Sequence, residues 1–307
     1  MSVLDANDAT ADPRLPAPES PTPTGTRQPT TPRTRRRWSL RGQPLSLVIG
    51  VSVFTAVVVL LAITPLIAPH DPATQDLTNR LAGSSSEHWL GTDQLGRDEL
   101  SRLLYGGRFS VTIAAITLAI CAVTGTLLGI LCARVRGALD EVVMRICDVL
   151  LAFPEMIVAM FVVSVAGANP VSLVVALVIG GWTPFAKLAR GVALEVDARS
   201  FIEAARALGC SRRFIVMRHL LPNSLSPLMA HGALRFGHKL ITVGALSFLG
   251  LGVQPPDADW GSMLAAAQPY LSTHPTLMIY PGLAIFITAL SVTMIGQGIN
   301  SKRGTRT

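Results

Sequence analysis

Apolar runs long enough to cross a membrane restrict the fold of this chain more than any other feature. Leu45 to Ala68 contains no charged residue and is long enough to cross the ~30 Å hydrocarbon core of a bilayer. Five more apolar runs follow at about 109–133, 140–166, 171–188, 223–253 and 276–299. Half of the 307 residues are apolar and only 15% are charged, which excludes an ordinary soluble protein. The sequence predicts an all-α membrane protein with six transmembrane helices.

The distribution of charge predicts how these runs are oriented. The formal net charge is +7, and basic residues concentrate near both ends of the chain and in the loops after the second and fourth runs. The other loops are neutral or mixed in charge. Because loops rich in Lys and Arg stay in the cytoplasm, we expect both termini to be cytoplasmic. A nucleic-acid-binding protein would concentrate its positive charge on a folded domain, so we expect no nucleic-acid partner.

Few side chains suggest chemistry carried out by the chain itself. The cysteines show no metal-type spacing, and we expect free thiols in the membrane or cytoplasm. They are Cys121, Cys132, Cys147 and Cys210. The sequence contains no Gly-x-x-x-x-Gly-Lys-Ser/Thr loop of the kind that binds nucleotide phosphates. We expect no catalytic residue, no metal site and no cofactor bound by this chain.

A polar segment of mixed charge precedes the second run. It contains Gly91-Thr92-Asp93, Gly96-Arg97-Asp98 and Ser101-Arg102. These residues predict a turn and then an amphipathic helix at the membrane surface, with Asp93 as its N-cap. Arg97, Asp98 and Arg102 are expected to form ion pairs at helical spacing. We favour this structural role over direct ligand binding.

Residues 196–222 form a polar hairpin between the fourth and fifth runs. The segment predicts a short helix, a left-handed break at Gly209, and a second helix that Ser211 caps and Pro222 ends. A polar helix pair between two spans suggests a docking element for a soluble partner. The residues expected to shape this contact are Glu203, Ala204, Ala205, Gly209, Ser211, Arg212 and Arg213.

Glu203 has two interpretations. Its carboxylate could reach a cation or a backbone amide of the partner. The pattern Ser200-x-x-Glu203 is also a capping box, in which the glutamate closes the start of its own helix. Asp197 is a weaker alternative cap. The capping role and the docking role are compatible, because a capping glutamate would still shape the docking surface.

Three separated segments together resemble the C-type permease subunits of ABC importers in the dipeptide, oligopeptide and nickel group. They are the Gly-Thr-Asp segment, the Glu203-Ala-Ala hairpin with Leu221-Pro222, and Leu246–Pro256 with Trp260-Gly261. The resemblance covers residues 40 to 300. It implies a type I ABC-importer (MetI-like) permease fold in the bacterial inner membrane, and it makes the hairpin the coupling loop to an ATPase. It also implies a B-type permease subunit, two ATPase subunits that bind ATP and magnesium, and an extracytoplasmic peptide-binding protein.

Composition and resemblance together divide the chain into four regions. Residues 1–41 are predicted to form a disordered basic cytoplasmic tail, because they have too few apolar residues to offset the entropy of ordering. The first transmembrane helix and the outer amphipathic segment occupy 42–108, the permease core with its coupling hairpin occupies 109–300, and a cytoplasmic tail occupies 301–307. We interpret the arginines of the first tail as a membrane anchor, with a nucleic-acid patch as the alternative. They are Arg33, Arg35, Arg36, Arg37 and Arg41.

The fifth run carries polar residues in its first half. His231, Arg235, His238 and Lys239 share one face at helical spacing. Such residues should not face lipid, so we expect the stripe to face the translocation path or a neighbouring acid. Glu155 of the third run is a candidate for the internal partner. The alternative is that this half of the helix lies in a cytoplasmic vestibule.

These features predict a subunit of an ATP-driven importer for dipeptides or short oligopeptides, without an active site of its own. An importer of nickel, heme or another ligand stays open as an alternative, since a separate binding protein largely selects the substrate. A self-sufficient secondary transporter would leave the hairpin unexplained, and it would predict inverted repeats. A basic scaffold that acts through its tail is the remaining alternative.

Overall fold

Helices form nearly all the regular structure of the described residues. The computed structural model describes residues 45–304, apart from the side chains at positions 212, 213, 223, 226 and 302–304. The α-helices are α1 (Leu45–Ala62), α2 (Thr64–Ile67), α3 (Glu99–Val135), α4 (Ala138–Ala152), α5 (Glu155–Ala166), α6 (Pro170–Gly181), α7 (Thr183–Asp197), α8 (Ser200–Ala207), α9 (Arg212–Ile215), α10 (Leu221–Phe248), α11 (Trp260–Ala267) and α12 (Thr276–Gly304). The predicted arginine anchor of the N-terminal tail lies outside the described residues.

Four helical segments of the described chain are long and apolar enough to cross a membrane. They are α1, α3, the combined stretch of α6 and α7, and α12. α4 and α5 pass the same test as a pair bent by 89°, which raises the number to five. α10 is also long, with 28 residues, but the polar stripe in its first half lowers its apolar content. The predicted span at 223–253, within α10, therefore stays a prediction.

The second span is longer than predicted and includes the expected surface helix. α3 is one continuous helix of 37 residues from Glu99, or about 55 Å at 1.5 Å per residue. Its N-cap is Asp98, whose side chain accepts a hydrogen bond from the Ser101 amide at 2.8 Å. The prediction of Asp93 as the cap was wrong. Asp93 instead binds Arg97 at 2.7 Å and Arg102 at 3.3 Å, so Asp98 does not take part in the expected arginine pairs.

Two predicted spans are interrupted helices. The third run divides at Phe153 and Pro154 into α4 and α5, since proline lacks an amide hydrogen and restricts the residue before it. This break places Glu155 in the first turn of α5. The fourth run is interrupted at Trp182, beside Pro184, and α7 then continues to Asp197, beyond the predicted end of the span.

Small residues allow α3 and α7 to pack closely. A Cβ atom added at Gly125 would lie 2.7 Å from the Cβ atom of Phe185, and one added at Gly129 would lie 2.9 Å from that of Ala189. Close backbone approach of this kind stabilises helix pairs in membranes, where burial from water contributes little. All four cysteines are free, as predicted.

Candidate functional site

The predicted hairpin is present between α7 and α10. After α8 ends at Ala207, Gly209 adopts a φ of 78°, in the left-handed region that favours glycine. The Ser211 hydroxyl then accepts a hydrogen bond from the Phe214 amide at 3.2 Å, at the start of α9. The structure therefore confirms the glycine break and the serine cap.

Apolar side chains fix the hairpin to the body of the molecule. Ile202 of α8 and Ile215 of α9 are buried, and they belong to one apolar cluster with Ile130 of α3. Ala205 belongs to the same cluster, whereas Ala204 is exposed. Of the two alanines singled out in the sequence, Ala204 is therefore the one that a partner protein can reach.

Glu203 does not cap its own helix. The N-cap of α8 is Arg199, which makes no side-chain capping bond, and Ser200 is already inside the helix. The capping-box interpretation was therefore wrong. The Glu203 side chain is exposed and has no hydrogen bond or ion pair within the described part of the chain. No described residue therefore competes with another molecule for its carboxylate.

Asp197 also has a different role from the capping that its sequence position suggested. It forms an ion pair with Arg206 of α8, and its carboxylate lies 3.6 Å from a guanidinium nitrogen of Arg136, just after α3. These side chains line a cavity of about 500 Å³ together with Arg134 and Cys210. The network joins the hairpin to the end of α3. Sequence spacing gave no sign of it, because Arg136 and Asp197 are far apart in the chain.

Pro222 does not end the hairpin, contrary to the prediction. α9 continues through a π-helical turn at Val216–Leu220 directly into α10, and Pro222 lies in the first turn of α10. Proline is accommodated at a helix start, where its missing amide hydrogen matters least. The second arm of the hairpin and α10 are therefore one continuous helical segment. The side chains of Arg212 and Arg213 lie outside the described residues.

The polar stripe of α10 contacts Glu155 inside the molecule. Lys239 is only 1% exposed, and its Nζ atom forms an ion pair with Glu155 Oε1. The same Nζ donates a hydrogen bond to the Leu177 carbonyl oxygen of α6 at 3.0 Å. His238 Nε2 lies 3.6 Å from the second carboxylate oxygen of Glu155. These contacts link α5, α6 and α10. They also give the buried Lys239 ammonium group the polar partners that lipid could not supply.

His231 and Arg235 do not join this contact. The His231 ring packs edge-on against Phe185 of α7, with 5.0 Å between ring centroids, and its Nε2 is buried without a hydrogen-bond partner in the described chain. Arg235 is half-buried and forms no ion pair with any described residue. The stripe thus contains one neutralised cation, Lys239, and one cation that remains available, Arg235.

Comparison with known proteins agrees with this architecture. The family model for the "Binding-protein-dependent transport system inner membrane component" matches residues 125–304. The glutathione transport system permease protein GsiD of Pectobacterium atrosepticum is 42% identical over 217 residues, which cover 71% of this chain and 72% of that protein. The probable D,D-dipeptide transport system permease protein DdpC of Escherichia coli is 35% identical over 262 residues, or 85% and 88% of the two chains. The dipeptide transport system permease protein DppC of Alkalihalophilus pseudofirmus is 32% identical over 284 residues, or 92% and 93%.

A solved structure of the MetNI methionine ABC transporter, in an inward facing conformation, matches the fold. Its TM-score is 0.55 at 19% sequence identity, and the match covers 64% of this chain and 94% of that chain. This likeness supports the MetI-like permease fold. Together with the apolar helices and the family match, it indicates a multi-pass protein of the bacterial inner membrane. The chain belongs to the family of inner membrane components of binding-protein-dependent transport systems.

Proposed function

We propose that this chain is the permease subunit of an ATP-driven importer for dipeptides or short oligopeptides. It forms half of the translocation path, and a B-type permease subunit forms the other half. In this proposal the chain has six spans and both termini lie in the cytoplasm, so that the hairpin faces two ATPase subunits. Those subunits bind ATP and magnesium, and an extracytoplasmic binding protein delivers the peptide. The chain itself is not catalytic.

The continuity of α9 with α10 is the observation that carries this proposal. A docked ATPase that moves the hairpin also moves α10, because no flexible loop separates them. Lys239 lies about 36 Å along this helical segment from Ile215, at 1.5 Å per residue. A displacement at the hairpin therefore reaches the contact between α10, α5 and α6 in the interior.

Short peptides are the substrate class that the relatives favour. The three relatives are named for transport of glutathione, D,D-dipeptides and dipeptides. Each of these compounds is a peptide of two or three residues that carries carboxylate and ammonium groups. In the proposed path, Arg235 attracts the substrate carboxylate, because it is the stripe cation without a partner in the described chain. His231 and His238 flank it, while Lys239 and Glu155 hold each other and shape the wall.

Glu203 supplies the most direct test of the docking surface. The carboxylate has no contact within the described chain, so Glu203→Ala should leave the fold unchanged. Loss of one partner from a buried charged contact at an interface costs about 2–5 kcal/mol. We therefore expect ATP-dependent uptake of labelled dipeptide to fall about tenfold or more. The assay uses proteoliposomes that contain this chain, the B-type permease subunit, the ATPase subunits and the binding protein. The amount of assembled complex is measured in parallel.

Glu195→Ala is the matched control. Glu195 is exposed near the end of α7, and its one ion-pair partner in the described part of the chain is Arg199, one turn away on the surface. Uptake by this variant should equal that of the wild type. If Glu203→Ala also transports normally at equal assembly, the hairpin carboxylate has no part in coupling. Uptake that needs no ATP would instead support a secondary transporter.

A further inference from the structure

Two histidines and an aspartate converge at the opposite end of α3 from the hairpin. His88 Nδ1 lies 2.9 Å from Asp98 Oδ1, and His70 Nδ1 lies 3.7 Å from the same oxygen. One potential metal-ligating atom from each of these three residues lies within 4.8 Å of the others. We refer to His70, His88 and Asp98 as the histidine–aspartate cluster.

Hydrogen bonds to the backbone hold all three residues in place. The second carboxylate oxygen of Asp98 accepts from the Ser101 amide at 2.8 Å, which turns the first oxygen toward the histidines. The His70 amide donates to the Ser101 hydroxyl at 3.1 Å. The His88 amide donates to the Ser85 hydroxyl at 3.0 Å, and the His88 carbonyl accepts from the Ser85 amide at 2.8 Å. The cluster is thus fixed by its surroundings before any ligand arrives.

His70 Nδ1 is the observation that points to a ligand. The atom is buried and has no hydrogen-bond partner among the described residues. Its 3.7 Å separation from Asp98 Oδ1 is too long for a hydrogen bond. A nitrogen in this position lacks an electrophilic partner, and a metal ion between the three residues would supply one. The His70 side chain as a whole is 36% exposed, so an ion can reach the cluster from solvent.

We propose that the histidine–aspartate cluster binds one divalent transition-metal ion, with Zn²⁺ as the best match. Two imidazole nitrogens and one carboxylate oxygen are typical zinc ligands, and a three-ligand site leaves the fourth tetrahedral position open. Bond lengths of about 2.0–2.2 Å in a tetrahedral site place neighbouring ligand atoms roughly 3.3–3.5 Å apart. The two distances to Asp98 Oδ1, 2.9 and 3.7 Å, fall on either side of that range. Rotations of the imidazole rings would bring the three ligand atoms, which lie within 4.8 Å of one another, to tetrahedral spacing.

The prediction of no metal site rested on the cysteines, which show no metal-type spacing, and it did not consider His70, His88 and Asp98. The three residues of the cluster come from three segments: His70 from the connection after α2, His88 from the loop before α3, and Asp98 from the N-cap of α3. Only the fold brings them together. The site goes beyond the proposed transport function, and it does not depend on which substrate is carried.

Zinc titration of the purified complex tests this inference. The assembled transporter in lipid nanodiscs is first stripped with a chelator and then titrated with Zn²⁺ against a chromophoric indicator. His70→Ala is the main variant, since it removes one ligand and leaves the His88–Asp98 hydrogen bond in place. His274→Ala is the matched control, because His274 is a half-buried loop histidine whose ring has Thr273 as its one hydrogen-bond partner among the described residues.

We expect the complex with the wild-type chain and that with His274→Ala to bind one additional high-affinity zinc ion compared with His70→Ala, whose affinity falls at least tenfold. Co²⁺ should give the visible spectrum of a four-coordinate site in the first two and not in the third. Equal zinc binding by wild type and His70→Ala would overturn the proposal, as would an equal loss in His274→Ala. His70→Gln provides a second test if His70→Ala lowers the thermal stability of the metal-free complex.

Discussion

At the scale of single residues, the buried pair of Lys239 and Glu155 makes each side chain dependent on the other. Lys239→Met leaves a partly buried carboxylate without its cation, and Glu155→Gln leaves an almost fully buried ammonium group without its anion. Removal of one partner from a buried ion pair costs about 3–5 kcal/mol. We therefore expect both single variants to unfold at clearly lower temperature in detergent. The double variant Lys239→Met/Glu155→Met should recover most of the loss.

An exposed pair in the same molecule provides the comparison. Lys187 and Asp148 lie 2.5 Å apart, but their side chains are 39% and 56% exposed. Exposed ion pairs contribute about 0–1 kcal/mol, so Lys187→Met should change the unfolding temperature little. If Lys187→Met and Lys239→Met were equally destabilising, burial of the internal pair would not explain its effect.

At the scale of helices, two glycines with different surroundings should respond oppositely to the same substitution. A Cβ atom at Gly129 would meet the backbone of Ala186 and lie 2.9 Å from the Cβ atom of Ala189, whereas nothing lies within 4 Å of one at Gly191. Gly129→Ala should therefore separate α3 from α7 and cost about 1–3 kcal/mol, the usual range for overpacking. Gly191→Ala should stabilise α7 by roughly 0.5–1 kcal/mol, because alanine loses less entropy in a helix.

Thermal unfolding of the two variants checks this prediction. Gly129→Ala should lower the unfolding temperature and Gly191→Ala should raise it. A neutral result for Gly129→Ala would mean that the two helices can move apart at no cost. The contact between α3 and α7 would then not limit stability.

The sequence predicted the helices better than their interruptions and contacts. A helix that spans the hydrocarbon core needs about 20 consecutive apolar residues, so runs such as Leu45–Ala62 can be recognised from the sequence alone. The break at Pro154 also had a local signal, although its 89° bend did not. The polar stripe predicted an acidic partner inside the protein for Lys239, because placing a cation in lipid costs free energy. The capping box at Glu203 failed because the chain enters α8 at Arg199, and no local pattern distinguishes that start from Ser200.

The cluster at His70 and the network at Asp197 show the limit of reasoning from spacing. His70 and Asp98 belong to separate segments that meet only after α2 and α3 pack. Arg136 and Asp197 likewise meet because α3 and α7 lie side by side. Contacts of this kind depend on tertiary packing, and a single sequence contains no periodic signal for them.

At the scale of the whole molecule, the orientation of α10 decides how many times the chain crosses the membrane. If α10 crosses the membrane and so completes six spans, Glu203 and the exposed Asp257 lie on opposite sides. Single cysteines at these positions, in a chain whose four native cysteines are replaced by serine, test this directly. We expect a membrane-impermeant thiol reagent to label Asp257→Cys on intact cells. Glu203→Cys should react only after the membrane is permeabilised.

Labelling of both positions from the same side would contradict the six-span arrangement. His274→Cys serves as the control, since His274 is in the connection between α11 and α12 and should behave like Asp257→Cys. Assembly of each variant with its partners shows that the cysteine has not changed the fold.

The unbroken length of α3 has a mechanical consequence. At about 55 Å, the helix is roughly 25 Å longer than the ~30 Å hydrocarbon core of a bilayer. Its N-cap, Asp98, belongs to the histidine–aspartate cluster, and its last turn lies beside the arginine-lined cavity next to the hairpin. A stiff rod cannot tilt at one end alone, so a 5° rocking about its midpoint shifts each end by about 2 Å in opposite directions. Movement of one end of α3 is therefore coupled to movement of the other end through a single helix.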